Sequence, residues 1–471
     1  MIKFGTDGWR AVIAKEFTFQ NVAIVTQALV DYLNSQVLTN RTLAVGYDCR
    51  FLSEHFAREV AAQLAANNFQ VLLFDDAVPT PMVSFEVKTR GLAAGVVITA
   101  SHNPPEFNGF KVKASFGGSA PPEMTQQIEA QLNKTLPLTT SFTDAVKIGQ
   151  IKALQPSITY GRHIANIVDL ERIKASNSHL VVDSMHGSGG RWVEHLLNGG
   201  KCKVTTIRAN RDPYFGGVNP EPIASNMSAL FEAVKEHSAL LGLATDGDAD
   251  RVGAASDLGN FISSHQIVAI LLLHLAKERA WRGGVAITFS QSVLVKRIAK
   301  HYGLPIYETP IGFKYLAELM LSKDILISGE ESGGIGIKGH IPERDGILNS
   351  LLLAEAIITS QKTPTELLES IWQEFGRFYY DRLDLHIDIN IGKAFVEDMK
   401  LSPPSNLAGE EIASVETLDG TKLIFTDGSW LLLRQSGTEP VLRLYCEASS
   451  QAKLEILLTT ARQLAYKKRP G

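Results

Sequence analysis

Short, almost purely apolar runs recur along this chain, each followed by a stretch with helical spacing, and this alternation is what most restricts its fold. Thr42–Tyr47 reads as a strand, Ser53–Asn67 as a helix with Phe56, Val60 and Leu64 on one face, and Gln70–Phe74 as a second strand. A helix over Pro81–Arg90 and a strand over Ala93–Thr99 complete the first cycle. Strands spaced by helices imply a mostly parallel sheet covered on both faces. The pattern restarts with strand His179–Asp183, helix Arg191–Leu197 and strand Leu241–Thr245. A third cycle opens with helix His265–Lys277 and continues through strand Val285–Phe289, helix Ser292–His301, strand Ile306–Glu308, helix Gly312–Leu321 and strand Ile325–Ser328. The last hundred or so residues differ. Lys422–Thr426 and Ser429–Arg434 flank Asp427-Gly428 as a hairpin, Val441–Glu447 is a further strand, and Gln451–Lys467 is a closing helix.

Length agrees with several units. Single cores stop growing at roughly 250–300 residues, and this chain has 471. Three α/β units and a smaller α+β unit are expected, with boundaries near 150, 256 and 373, giving domains 1–150, 151–256, 257–373 and 374–471. Lys134–Ser141 reads as a surface loop. Forty-six basic against fifty acidic residues give a net charge of −4, which gives no reason to expect nucleic acid or an anionic membrane as partner. Cys49, Cys202 and Cys446 are far apart and lack metal or redox spacing. The longest apolar runs, such as Ile267–Leu273, fall short of the ~18 residues a bilayer requires. With no charged leader and apolar stretch at the start, a cytoplasmic location is expected.

Four loops carry chemistry. Thr99-Ala100-Ser101-His102-Asn103-Pro104-Pro105 follows an apolar strand, at the end of a sheet where ligands collect. Its prolines would stiffen a loop presenting Ser101. A serine nucleophile needs a base or cation. His102 is its chain neighbour and cannot easily fold back onto it, whereas Lys111 and Lys113 could return to the loop. Asp246-Gly247-Asp248-Ala249-Asp250-Arg251 places three carboxylates at alternate positions, enough for one hard cation such as Mg²⁺. A calcium EF-hand is excluded, because its sixth and twelfth positions would be Arg251 and Asp257 instead of Gly and Glu, and a strand precedes it. Arg251 would face the same anion as the metal. Gly329-Glu330-Glu331-Ser332-Gly333-Gly334 offers paired carboxylates to hydroxyl-rich ligands. Arg434-Gln435-Ser436-Gly437-Thr438-Glu439-Pro440 combines arginine, hydroxyls and an approachable backbone, as a phosphate cradle does. His186-Gly187-Ser188-Gly189-Gly190 is set aside as a tight strand-to-helix turn.

These loops, in this order and with the opening Phe4-Gly5-Thr6-Asp7-Gly8-Trp9-Arg10, resemble the α-D-phosphohexomutase family over nearly the whole chain. The resemblance implies three related mixed-sheet α/β domains plus a smaller C-terminal α+β domain around a central cleft. It implies that Ser101 is the phosphoserine and that Asp246, Asp248 and Asp250 hold Mg²⁺ together with the Ser101 phosphate. Arg10, His102, Lys111 and Arg251 would surround the moving phosphoryl group, with Lys111 a candidate general acid/base. Glu330 and Ser332 would contact sugar hydroxyls. Arg434, Ser436, Gly437 and Thr438 would grip the distal phosphate. Thr309, Gly312 and Lys314 of Thr309-Pro310-Ile311-Gly312-Phe313-Lys314 resemble a further substrate loop, and His340 and Arg344 are assigned to substrate as well. Some bacterial phosphomannomutases have a histidine where this chain has Gly334; here His340, in Gly339-His340-Ile341-Pro342-Glu343-Arg344-Asp345-Gly346, looks more like the phosphoglucomutase branch.

The implied reaction interconverts hexose 1-phosphate and hexose 6-phosphate, with glucose as the expected sugar and glucose 1,6-bisphosphate as intermediate and activator. A phosphomannomutase or a glucose-1,6-bisphosphate synthase would share the same loops. A phosphoserine-dependent phosphatase and a non-catalytic sugar-phosphate sensor are the readings from other classes.

Overall fold

A computed structural model of the chain describes residues 2–5, 7–156, 158–437 and 440–467. Contacts divide it into two compact units, Met1–Gly284 with Gly312–Leu367, and Val285–Ile311 with Leu368–Gly471.

The first sheet has six strands, β1 (Trp9–Val12), β2 (Thr42–Tyr47), β3 (Gln70–Phe74), β4 (Ala94–Ile98), β5 (Phe107–Ala114) and β6 (Ile151–Leu154). Their order is β1-β5-β4-β2-β3-β6. Pairing is parallel from β4 through β2 and β3 to β6, and antiparallel from β4 to β5 and β5 to β1. Alternation along the buried strands sends Leu43, Val45, Val96 and Ile98 into the core under helices Phe19–Asn34 and Ser53–Ala66. Ala44 and Val97 face the opposite core, beside Val83 and Val87 of helix Thr80–Thr89. Both faces are therefore covered, which is why these strands read as continuous apolar runs.

The reversal at β5 has a simple cause. β4 ends at Ile98 and β5 begins at Phe107, too short a gap for the dozen or so residues of a parallel crossover. The same joint recurs. The second sheet comprises β7 (His179–Asp183), β8 (Lys203–Ile207), β9 (Leu241–Thr245), β10 (Val252–Ala255) and β11 (Phe261–Ile262), ordered β11-β10-β9-β7-β8. β9 joins β7 in parallel and turns back antiparallel into β10. In the third segment β12 (Gly284–Thr288) and β13 (Ile306–Thr309) pair in parallel, while β14 (Ile325–Gly329) turns back into β15 (Ile335–Ile337). The expected parallel sheets are thus mixed, as the family resemblance implies. Two boundaries also move. β6 completes the first sheet, which runs past residue 150, and β11 carries the second past residue 256.

The C-terminal sheet is wholly antiparallel, with β16 (Tyr379–His386), β17 (Asn406–Leu407), β18 (Glu410–Glu416), β19 (Thr421–Phe425), β20 (Trp430–Gln435) and β21 (Val441–Ala448) in the order β16-β21-β20-β19-β18-β17. Asp427-Gly428 forms the expected hairpin turn, Gly428 having φ +88. Helix Gln451–Lys467 buries Leu454, Leu457, Leu458 and Ala461 against that sheet. The architecture is three α/β domains with mixed sheets and a smaller C-terminal domain. Among the described residues no helix is long and apolar enough to cross a membrane.

Strand β5 is the mechanical link between the apolar core and the residues Lys111 and Lys113. Its Phe110 is fully buried and pairs with Ile98 and Trp9 across two neighbours. Phe110→Ala should destabilise the protein by about 3–5 kcal/mol, read as a lowered urea midpoint; a loss of under about 1 kcal/mol would show that this core collapses around the missing ring.

Candidate active site

Ser101 sits at the carboxyl end of β4 with φ +54, a left-handed backbone that costs an ordinary residue about 1–3 kcal/mol. Arg50, fully buried, holds it there. Its Nη2 donates to the carbonyls of Ser101 and Asn103, both at 2.6 Å. Its Nη1 donates to those of Pro104 (2.8 Å) and Phe107 (3.0 Å), and Nε to Asp48 Oδ2 (3.1 Å). All five guanidinium N–H groups are thus spent, four of them on the backbone of one loop. Asp48 in turn accepts from Thr99 and Ser53, and Thr99 Oγ1 receives the Ser101 N–H at 2.8 Å. The Phe215 ring covers the guanidinium, 4.9 Å from its centre. Sequence alone does not reveal this clamp, although Asp48-Cys49-Arg50 follows β2 at the sheet edge where function gathers.

The acid loop joins β9 to β10 and meets the serine directly. Ser101 Oγ donates to Asp246 Oδ2 at 2.7 Å. Asp246 Oδ1 accepts the N–H groups of Asp250 (3.0 Å) and Arg251 (3.1 Å), which curls the loop. Ligand oxygens of Asp246, Asp248 and Asp250 lie within 4.8 Å of one another, and all three residues are buried. Gly247 permits the approach, since a Cβ there would stand 2.5 Å from the Ser101 carbonyl. From behind, Ser188 N–H donates to the Gly247 carbonyl at 3.0 Å. The tight turn set aside in the sequence therefore supports the acid loop.

The trio fits a hard divalent cation. Oδ1 of Asp248 and Oδ1 of Asp250 are buried and have no hydrogen-bond partner among the described residues. Such orphaned carboxylate oxygens are costly, and oxygen ligands of this kind are what Mg²⁺ takes. Burial, then Asp250 and Asp248, push the Asp246 carboxyl well above the ordinary range. Asp248 goes the other way: burial opposes its charge, but Lys111, Thr80 and Arg344 hold it well below. Thr80 Oγ1 donates to Asp248 Oδ2 at 2.5 Å, a contact from helix Thr80–Thr89 that sequence alone does not suggest.

Lys111 and Lys113 do return to the site, on one face of β5. Lys111 Nζ reaches Asp248 Oδ2 (2.7 Å), Asp7 Oδ2 (2.8 Å) and Asp250 Oδ2 (3.0 Å). Burial would lower its pKa, but the three carboxylates raise it above the ordinary lysine value, so it stands as an ammonium. Lys113 pairs with Glu343 at 2.7 Å. Arg344 Nη2 bridges Asp7 (2.6 Å) and Asp250 (2.7 Å), and Nη1 lies 3.6 Å from Glu330. Asp7 of the opening motif, to which the sequence attaches no role, is a hub of this network.

Around the serine, His102 Nδ1 is 3.5 Å from Ser101 Oγ, closer than chain adjacency suggests but longer than the bond to Asp246. Burial, then Arg251, Arg10 and Lys111, lower its pKa well below the ordinary value and keep it neutral. Arg10 donates to Asn103 Oδ1 at 2.8 Å. Arg251 lies 3.7 Å from Glu221, and its buried Nε has no hydrogen-bond partner among the described residues.

The Glu330–Gly334 loop occupies the equivalent joint between β14 and β15. Gly333 has φ +90, and its carbonyl accepts the Val252 N–H at 3.1 Å, pinning this loop to the exit of the acid loop. Glu330 is buried, its Oε2 lacks a hydrogen-bond partner among the described residues, and burial lifts its pKa to about 7. Ser332 is half-buried beside it in the chain. His340 lies elsewhere: its ring is 2.9 Å from His163 and 3.1 Å from Asp345, whose Oδ2 also accepts from Tyr160. These surroundings are those of a packed structural cluster. Among the described residues the bonds of His340 run to that cluster and not to the serine, the acids or Glu330. Gly312 (φ +137) starts helix Phe313–Ser322, and Lys314 borders a small cavity with Phe4, Gly5, Asp7 and Gly8.

In the second unit, Thr309 ends β13 and its carbonyl accepts the Phe289 N–H at 2.9 Å. Arg434 is near the end of β20, and Ser436 N–H donates to the Val441 carbonyl across the loop base at 2.9 Å. Gly437 is open, with nothing near where a Cβ would stand. Thr438 lies outside the described residues.

The chain matches all four domain descriptions of one family: phosphoglucomutase/phosphomannomutase alpha/beta/alpha domain I over residues 1–138, domain II over 159–259, domain III over 263–375 and the C-terminal domain over 397–462. It is 31% identical over 453 residues to a phosphoglucomutase/phosphomannomutase of Thermococcus kodakarensis, covering 96% of this chain and 95% of that one. It is 29% identical over 455 residues to a phosphoglucosamine mutase of Carboxydothermus hydrogenoformans, covering 96% of each. A crystal structure from Thermus thermophilus, whose proposed activity is phosphomannomutase, superposes with a TM-score of 0.88 at 34% identity over 99% of both chains.

The clamp on the serine loop can be tested without substrate. Lysine has three donors on a point charge and cannot span four carbonyls. Arg50→Lys should raise amide exchange across residues 100–107 by at least about tenfold while leaving the C-terminal sheet unchanged. Unaltered exchange in that loop would mean that the prolines alone hold it.

Proposed function

Because the chain belongs to the phosphoglucomutase/phosphomannomutase family, we propose that it interconverts hexose 1-phosphate and hexose 6-phosphate through phosphorylated Ser101, with glucose as its principal sugar. The observation that carries this reading is the 2.7 Å contact of Ser101 Oγ with Asp246 inside a trio of buried carboxylates, two of which keep an unpaired oxygen. A serine oxygen meets acids in this way where a phosphate and a divalent cation are to share the space.

In this reading Asp246, Asp248 and Asp250 would hold Mg²⁺ beside the Ser101 phosphate, and the ion would supply neutralisation of the charge on the transferring group. As the free sugar hydroxyl attacks phosphorus its proton passes to neutral His102, the bond from phosphorus to Ser101 Oγ breaks, and His102 hands the proton to that oxygen, so that none is gained or lost. Lys111, kept as an ammonium by its three carboxylates, serves as a fixed cation. Neutral His102, 3.5 Å from the serine oxygen, is available to carry a proton there. Arg10 and Arg251 offset the charge of the phosphoryl oxygens, and such positioned charge carries most of phosphoryl-transfer catalysis. Glu330, with one oxygen unpaired, accepts from sugar hydroxyls, and Arg344 fixes Asp250 and Asp7 beside it. The Arg434–Thr438 loop takes the phosphate that is not reacting. The resulting hexose 1,6-bisphosphate turns over and returns its other phosphoryl group to Ser101.

Relatives are named for glucose, mannose and glucosamine phosphates. Those sugars differ only at carbon 2, so the roles above are the same for each. With glucose 1-phosphate, Mg²⁺ and catalytic glucose 1,6-bisphosphate, a coupled assay should show glucose 6-phosphate forming. Ser101→Ala should lower the rate by at least about a thousandfold, as loss of a covalent nucleophile does, and chelation of the metal should abolish it. Inorganic phosphate as the main product would replace the mutase with a hydrolase. Net accumulation of bisphosphate from a second donor would replace it with a synthase. A higher kcat/KM for mannose or glucosamine 1-phosphate would reassign the sugar alone.

A further inference from the structure

The hairpin turn between β18 and β19 ends in Asp419-Gly420. Gly420 has φ +96, and a Cβ on it would run into the Leu433 carbonyl, so this turn lies hard against β20. β19 and β20 pair with Thr421 opposite Leu433, and that register brings Asp419 beside Arg434, the next residue of β20. Asp419 Oδ2 accepts from Arg434 Nε at 2.9 Å. The same oxygen accepts the backbone N–H of Ile311 at 2.9 Å. Both side chains are about four-fifths buried, at 22% exposure each, so the pair is less screened than a surface ion pair. Burial disfavours the Arg434 charge, and Asp419 more than restores it. A guanidinium gripped at Nε, with Tyr445 as a second partner, is held in one orientation, and its remaining N–H groups match the planar geometry in which arginine meets phosphate.

We propose that Asp419 is the positioning residue of the distal-phosphate cradle: one carboxylate oxygen aims the Arg434 guanidinium and fixes the Thr309–Ile311 turn to it, so that two substrate segments far apart in sequence move as one piece. The proposal rests on the reading of Arg434 as a phosphate contact. Asp419 touches no reacting atom. Its effect is to spare Arg434 the loss of side-chain freedom on binding.

The test is a double-mutant cycle in the full-length enzyme with glucose 1-phosphate as the probe. Asp419→Ala should raise KM by about tenfold while kcat falls less than about threefold, the split expected when binding is lost and chemistry kept. Asp419→Asn, which retains an acceptor for Ile311 and Arg434 but no charge, should recover most of that loss. On an Arg434→Ala background, Asp419→Ala should add less than about twofold, because the two residues act as one unit. Additive effects, or a wild-type KM in Asp419→Ala beside a raised KM in Arg434→Ala, would overturn the role of Asp419. A wild-type KM in Arg434→Ala would instead overturn the phosphate reading on which it stands. If Asp419→Ala does not fold, Asp419→Asn carries the same cycle. There an increase in KM that persists undiminished without Arg434 counts against the proposal.

Discussion

Each α/β segment of this protein reaches its chemistry at the same kind of joint, and everything else in the site depends on it. The last strand of a parallel run stops, and the chain has too few residues to cross over, so it must turn back antiparallel. Ser101 lies in the turn between β4 and β5, the three aspartates between β9 and β10, and Glu330 between β14 and β15. A turn so short cannot hide its polar atoms in regular structure. They must find partners outside it, and they find one another: Ser101 bonds Asp246, Val252 bonds Gly333, and Gly346 bonds Ala249.

The interlocking has an energetic character of its own. Asp7, Asp248, Asp250, Lys111, Arg344 and Glu343 form a buried ionic network. Charges removed from water in this way return little net stability, because desolvation offsets most of the attraction. The apolar layers on either face of the first sheet carry the fold instead. The network survives because its partners are complete enough to prevent collapse, and because the two carboxylate oxygens it leaves unpaired suit a cation.

Much of this is legible from the residues. Thr42–Tyr47, Gln70–Phe74, His179–Asp183, Leu241–Thr245 and Gln451–Lys467 match the observed elements end to end, since doubly buried strands and a well-punctuated helix leave clear signals. Strand β5 is not. Its Lys111 and Lys113 interrupt the apolar pattern that marks a strand, yet both are buried and paired with acids distant in sequence. Helix Phe19–Asn34 and strand β8 likewise escape the pattern; the latter, Lys203–Ile207, is polar and half exposed. Within the site, Ser101 and the three aspartates announce themselves by following apolar strands. Arg50, Asp7 and Thr80 do not, because each acts through a partner that only the folded chain brings near. His340 meets His163 and Asp345, contacts that the sequence does not suggest.

The burial of Ser101 also limits what can reach it. The residue is 1% exposed, and Arg50 binds its carbonyl and that of Asn103 just beyond it. A protein kinase reads its target as an extended, accessible peptide, and this segment could be offered in that form only by unfolding the first sheet around it. In the proposed function the phosphoryl group would therefore have to come from a small phosphorylated molecule that enters as a substrate would. On that reading the active fraction would follow the supply of such a molecule and not a signalling cascade.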